Sequence, residues 1–284
     1  MKIKNNESLS RYTTFKMGGT AKIMFFPENI NDLREIYEKS PSAFDYIIGG
    51  GSNIVINDKR DFEAVVCLRN LNSDIEHLGE GQYYVGAGVR LQSLIRTINK
   101  DGYGGIEYLF SVPGFVGGAT FMNAGRGKTI KKCISDYILR VDGFINGENV
   151  TFTKEECDFS YRTSVFQTLK GCVITGVLFE FPAMSQEESS AQIRERIELC
   201  KGVQDMSFPN YGSVFCQFDR RIIRFVRRIG LGKKGGCHFS KKTENWMLHE
   251  KNGNFKDVVR ILKQVEWMHK ICGKSCKTEV RIWK

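Results

Sequence analysis

The stretch Tyr46-Ile-Ile-Gly-Gly-Gly-Ser-Asn-Ile-Val-Ile56 sets three consecutive glycines between two apolar runs rich in β-branched residues. Such runs are strand formers, so the pattern predicts strand, glycine turn, strand. Glycine reaches positive φ without steric cost, and successive backbone N–H groups in such a turn can form a concave anion site. Gly49, Gly50, Gly51, Ser52 and Asn53 are therefore a candidate cradle for a pyrophosphate. The plainer alternative is a tight hairpin. A dinucleotide fingerprint of the Rossmann kind is excluded, because its glycines open a helix. Here Ile54-Val-Ile56 and the turn-like Asn57-Asp-Lys59 follow instead. No G-x-x-x-x-G-K-[ST] phosphate loop is present.

Local patterns around the turn predict an α/β unit over residues 1–74. A strand at Ala21–Phe26 is followed by a helix from Asp32 and, after the glycine turn, a strand at Ala64–Leu68. A second unit, 75–183, holds a strand at Gln82–Val85. Its helix Leu91–Lys100 has Leu91, Leu94, Ile95 and Ile98 on one face. It also holds a hairpin turn at Asn146-Gly147 and an apolar strand at Cys172–Phe181. The uncharged stretch Ser111–Gly125 carries four glycines in fifteen residues and reads as backbone packed closely against something flat. A third unit, 184–274, opens on the capping box Ser185-Gln-Glu-Glu188. Asp219 caps a helix burying Ile222, Ile223, Val226 and Ile229, and a further helix spans Phe255–Lys270. Residues 275–284 contain a terminal strand, Thr278–Trp283. The fold class expected is α+β, with a two-lobed α/β part and a smaller α+β domain.

The chain has 284 residues, 41% of them hydrophobic and 26% charged, which is a globular composition. No apolar run approaches membrane-spanning length, and the polar Met1–Glu7 has no secretory signal character, so a cytoplasmic location is expected. Nine cysteines then read as reduced thiols. His269, Cys272 and Cys276 are close in sequence but offer three ligands without a fourth, so no metal is expected. The net charge of +10 is compatible with a polyanionic ligand. No nucleic-acid-binding motif accompanies the scattered lysines and arginines, so no nucleic-acid partner is expected.

Seven stretches together resemble the UDP-N-acetylenolpyruvoylglucosamine reductase family. They are Tyr12-Thr-Thr-Phe-Lys-Met-Gly-Gly19, Gly49-Gly-Gly-Ser-Asn53, Val112-Pro-Gly-Phe-Val-Gly-Gly-Ala119, Met122-Asn-Ala-Gly125, Tyr161-Arg-Thr-Ser164, Gly212-Ser-Val-Phe215 and Glu279-Val-Arg281. They occur in the family's order and span nearly the whole chain. The resemblance implies an FAD-binding fold of two lobes with a third domain for a nucleotide-sugar substrate. It implies NADPH as reductant, noncovalent FAD, and reduction of the enolpyruvyl group of UDP-N-acetylglucosamine enolpyruvate to UDP-N-acetylmuramate, a step of peptidoglycan synthesis.

By resemblance, Ser213 donates the proton, and Arg162 and Glu279 bind and polarise the substrate carboxylate. An arginine fork suits a carboxylate. Glu279 beside one requires a raised pKa or an intervening Arg162. The FAD pyrophosphate falls to Gly49–Asn53, and the flavin and adenine to Pro113, Gly114, Gly117, Gly118, Asn123 and Gly125. Tyr161, Lys201 and Gln217 are expected on the substrate. After Gly212-Ser-Val-Phe215 the family usually continues Lys-Asn-Pro or similar, whereas this chain has Cys216-Gln-Phe-Asp219. That departure leaves open a paralogous FAD-dependent oxidoreductase acting on a related nucleotide sugar. A flavin binder without turnover is the alternative from another class, and it has little use for the Ser213, Arg162 and Glu279 set.

Overall fold

The computed structural model describes residues 1–126 and 131–284. The chain divides into two compact units. One comprises residues 1–5, 23–50 and 63–201, the other 6–22, 51–62 and 202–284. The boundary inside the glycine turn falls between Gly50 and Gly51.

The first unit is built on a five-stranded antiparallel sheet. Its order is Glu148–Thr153, Ile138–Ile145, Val173–Glu180, Gln82–Gly86 and Ile75–Gly79. The Asn146-Gly147 turn closes the outer hairpin with Ile145 opposite Glu148. Both turn residues have positive φ, +52° and +89°, and such a turn matches the twist of antiparallel strands. The helix Leu91–Lys100 forms as its periodicity predicts, with Leu91, Leu94, Ile95 and Ile98 fully buried. They join Val85, Val141, Val177 and Phe179 in one core. The short strand Ile47–Ile48 pairs in parallel with Val66–Cys67 of the strand Asp61–Cys67.

One helix of this unit, Val116–Phe121, lies where the sequence predicts only closely packed backbone. Two glycines make it a poor helix by propensity, but Val116, Ala119 and Thr120 are buried and Gly117 N–H donates to the Ala87 carbonyl at 3.0 Å. Tertiary burial outweighs the local preference. The helix Gln186–Val203 begins with Glu188 N–H donating to Ser185 Oγ at 3.1 Å.

The second unit holds a four-stranded antiparallel sheet in the order Asn210–Ser213, Trp246–His249, Cys237–Phe239 and Lys233–Lys234. The helices Arg220–Arg228 and Phe255–Ile271 contribute Ile223, Val226, Val258, Ile261 and Val265 to its core. The first is capped as expected, Asp219 accepting from Arg221 N–H, and Asn254 and Asp257 form a capping box at the start of the second. The segment bearing Phe15 belongs here too. Phe15 is fully buried against Tyr211 and His249, with ring centroids 4.7 and 5.0 Å apart.

Two local expectations change. Ile229 is not buried: the helix ends at Arg228, and Ile229 caps it at 47% exposure. The terminal strand is two strands. Lys277–Thr278 pairs with Phe215–Gln217, and Arg281–Trp283 pairs in parallel with Ile54–Ile56, so the backbone changes partner at Glu279-Val280. His269 is a structural residue: its Nδ1 donates to the Val265 carbonyl at 2.8 Å and its Nε2 accepts from Asp219 N–H at 2.9 Å. Among the described residues no helix is long and apolar enough to cross a membrane.

Candidate active site

The glycine turn is the predicted strand, turn and strand, but not a hairpin, because its two flanking strands pair with different partners. Gly51 makes this possible at φ +67°. A Cβ there would stand 1.9 Å from the Tyr12 carbonyl oxygen, and Gly51 O accepts from Thr14 N–H at 3.0 Å. Only glycine fits.

In the first unit, a Cβ on Gly50 would stand 3.2 Å from Gly114 Cα and 3.5 Å from Phe115, so the two glycine-rich stretches are adjacent. Arg69 faces the Gly49 and Gly50 carbonyls at 3.5 and 3.4 Å. Beside them lies a cavity of about 450 Å³ lined by Arg69, Asn70, Ser73, Gly88, Arg90 and Phe115 among others. The Arg90 guanidinium lies over the Phe115 ring at 5.9 Å. Two guanidinium groups, hydroxyls and an aromatic face suit an anionic ligand with a flat base. No described atom lies within 4 Å of where a Cβ on Gly49 or Gly118 would stand, so both present bare backbone to open space. That is the shape a cofactor cradle requires. Gly117 instead packs on Ala87, where a Cβ would meet the alanine methyl at 2.9 Å. Pro113 is exposed. A groove of about 560 Å³ on the helix Phe255–Ile271 contains none of the expected site residues.

Tyr161 and Arg162 form the tip of a tight turn closed by two hydrogen bonds of 3.1 Å between Ser160 and Thr163. Arg162 has φ +58°, an uncommon conformation for a residue with a side chain. Its guanidinium donates to the Asn123 carbonyl at 3.3 Å and to the Gly125 carbonyl, and lies 5.1 Å from the Tyr161 ring. Asn123 is buried, and its side chain is engaged by protein. Nδ2 donates to the Ser160 carbonyl at 2.8 Å, and Oδ1 accepts from Ser135 N–H at 3.4 Å. Gly125 lets its strand approach Lys132-Cys133, since a Cβ there would stand 2.4 Å from the Lys132 carbonyl oxygen. The stretch Met122–Gly125 thus supports Arg162. Lys201 ends the unit, exposed, with Nζ 2.6 Å from Glu198.

In the second unit, the backbone next to Ser213 is joined to that of Glu279. Ser213 is half-buried at the end of its strand, opposite Trp246, and Gly212 precedes it at φ +77°. Glu279 N–H donates to the Val214 carbonyl at 2.8 Å. Asn53 Nδ2 donates to the Glu279 carbonyl at 3.3 Å, and Asn53 O accepts from Arg281 N–H at 3.0 Å. The last residue of the glycine turn therefore holds the link between two strands that bears Glu279. Burial, and then the charge of Glu279, push the Cys216 thiol pKa up. Gln217 donates to Ser275 Oγ at 2.6 Å.

The molecule is similar to known proteins over its whole length. A family model described as an FAD binding domain matches residues 21–146. The UDP-N-acetylenolpyruvoylglucosamine reductase of Carboxydothermus hydrogenoformans is 34% identical over 270 residues, covering 92% of this chain and 87% of that protein. The chain belongs to the UDP-N-acetylenolpyruvoylglucosamine reductase family. The Bacillus subtilis reductase is 30% identical over 275 residues, covering 93% of this chain and 88% of its own. The crystal structure of the Thermus caldophilus reductase shares the fold, with a TM-score of 0.81 at 24% identity and full coverage of both chains. Sequence reasoning missed Arg69, Arg90 and Asn245, which lie in none of the seven family-like stretches, and gave no role to Phe115, which lies in one.

Proposed function

We propose that this chain reduces the enolpyruvyl group of UDP-N-acetylglucosamine enolpyruvate to UDP-N-acetylmuramate, with FAD and NADPH, in peptidoglycan precursor synthesis in the cytoplasm. Within a member of this family, the observation that carries the reading is the joining of Ser213 and Glu279 through the Glu279 N–H to Val214 carbonyl bond. Gly49, Gly50, Gly51 and Ser52 hold the FAD pyrophosphate. Gly114, Gly118 and the cavity walls Arg69, Arg90 and Phe115 flank the rest. FAD held there would supply hydride chemistry, passing reducing equivalents from NADPH to the enolpyruvyl terminal carbon.

The substrate double bond is conjugated with a carboxylate, so negative charge builds there as the terminal carbon is reduced. Arg162 pairs with this carboxylate as a planar fork. Its guanidinium is pre-positioned by the carbonyls of Asn123 and Gly125 and needs little reorganisation. Ser213 then gives its hydroxyl proton to the neighbouring carbon. Glu279 polarises the carboxylate end, which its charge favours only when it or the substrate carries a proton. Tyr161 supports the Arg162 guanidinium through its ring face. Lys201 and Gln217 take the UDP end.

The deciding experiment is anaerobic. The purified protein is reduced with NADPH and mixed with the enolpyruvyl nucleotide sugar in a stopped-flow instrument. Rapid reoxidation of the flavin, with UDP-N-acetylmuramate as product, is expected. A protein that binds no FAD, or a reduced flavin indifferent to this substrate, overturns the proposal; reoxidation by a different nucleotide sugar would identify a paralogue.

Gly118→Ala separates cofactor contact from packing. The added methyl meets no described atom within 4 Å. Alanine in a helix gains roughly 0.5–1 kcal/mol over glycine. The FAD-free variant is therefore expected to melt at or slightly above the wild-type temperature, with FAD affinity at least tenfold weaker by fluorescence titration. Unchanged affinity would remove Gly118 from the site.

A further inference from the structure

Ser213 stands at a joint. Its own strand, Asn210–Ser213, pairs with Trp246–His249, while the next, Phe215–Gln217, pairs with Lys277–Thr278. Upstream, Gly212 turns the chain at φ +77° with open space around its Cβ position, and its N–H donates to Asn210 Oδ1 at 3.2 Å. The backbone that follows Ser213 is fixed by a second set of contacts on the downstream side.

That side is held by Asn245. Its backbone carbonyl accepts from Val214 N–H at 2.8 Å. Its side-chain Oδ1 accepts from Phe215 N–H at 3.1 Å, and its Nδ2 donates to the Phe215 carbonyl at 2.8 Å. The carboxamide acts as a peptide group of a strand that is not there. The fourth backbone group of the pair, the Val214 carbonyl, accepts from Glu279 N–H at 2.8 Å. Val214 and Phe215 are buried, so water does not readily replace a lost partner, and an unpaired group there is costly. Asn245 lies in none of the seven family-like stretches.

We propose that Asn245 is a positioning residue for proton transfer: it clamps Val214–Phe215 and thereby fixes the Ser213 hydroxyl relative to Glu279. The proposal rests on Ser213 being the proton donor. A reacting group displaced by about 1 Å loses on the order of 100-fold in rate, and a clamp one residue from Ser213 acts on that scale.

The test uses the FAD-loaded enzyme carrying Asn245→Ala, Ser213→Ala, or both. Asn245→Ala is expected to leave flavin reduction by NADPH within about twofold. Reoxidation by the enolpyruvyl substrate should slow ~10–100-fold with a larger solvent deuterium isotope effect. Amide exchange at Phe215 should quicken, reporting the lost clamp without reference to turnover. In the double variant reoxidation should be no slower than in Ser213→Ala alone, because Asn245 acts through Ser213. Should Asn245→Ala fail to fold, Asn245→Asp carries the same test, since it keeps the acceptor for Phe215 N–H and loses the donor to the Phe215 carbonyl. Wild-type reoxidation in the Asn245 variants, equal slowing of both half-reactions, or additive losses in the double variant overturn the clamp. Normal reoxidation in Ser213→Ala overturns instead the proton-donor reading beneath it.

Discussion

Ser213→Ala leaves reduction of the flavin by NADPH near the wild-type rate and slows reoxidation by the enolpyruvyl substrate ~10²–10⁴-fold, the range typical of a lost general acid. The split follows from where the proton is needed. Hydride transfer from NADPH requires nothing of Ser213, whereas completing the reduced substrate requires a proton on the carbon bearing the carboxylate. Stopped-flow absorbance resolves the two steps in one sample. Serine is a weak acid, so its position must compensate, and the half-buried site behind Gly212 limits the water that could replace it. Equal loss of both steps would mean that the substitution disturbs the fold or FAD binding, and the proton-donor role would fall.

Gly51→Ala is expected to be among the most damaging single-methyl changes in the protein. At φ +67° a side chain is strained, and the methyl would stand 1.9 Å from the Tyr12 carbonyl oxygen, an atom of the backbone that cannot swing away. Backbone strain and overpacking together amount to roughly 2–4 kcal/mol. Relief requires Tyr12–Thr14 or Gly51–Asn53 to move. The first movement breaks the Thr14 N–H to Gly51 carbonyl bond, and the second loosens the Asn53 hold on Glu279. Thermal unfolding should shift down by several degrees, and the protein should purify without its yellow colour. Full FAD occupancy at the wild-type melting temperature would show that the turn tolerates a side chain, contrary to its geometry. Gly118→Ala is the control, because it adds the same methyl to open space.

Much of the secondary structure is legible in the sequence. The helices at 91–100, 220–228 and 255–271 follow from a period near 3.6 and, for the second, from Asp219 as its cap, and the Asn146-Gly147 hairpin follows from its turn residues. Misreadings arise where pairing is non-local. Thr278–Trp283 has the alternation of one strand, yet its two ends find partners in Phe215–Gln217 and Ile54–Ile56, and the break falls at Glu279. The glycine-rich Val116–Phe121 has no helical propensity to read, and burial against Ala87 makes the helix. Of the expected FAD residues, Asn123 spends its side chain on Ser160 and Ser135 and holds Arg162 from behind, a role that no local pattern carries.

The glycine turn shows the division most clearly. Its sequence alone predicted a turn free to take positive φ between two strands and excluded a Rossmann helix, because φ preference and strand propensity belong to contiguous residues. The same sequence, through its ordered motifs, pointed to the family. Only the tertiary structure decided that the two strands part into separate pairings, that Asn53 reaches the Glu279 backbone, and that Asn245 completes the hydrogen bonds around Val214–Phe215. Those outcomes depend on which distant backbone groups are left unpaired once the sheets have formed, and burial then forces each of them to find a partner.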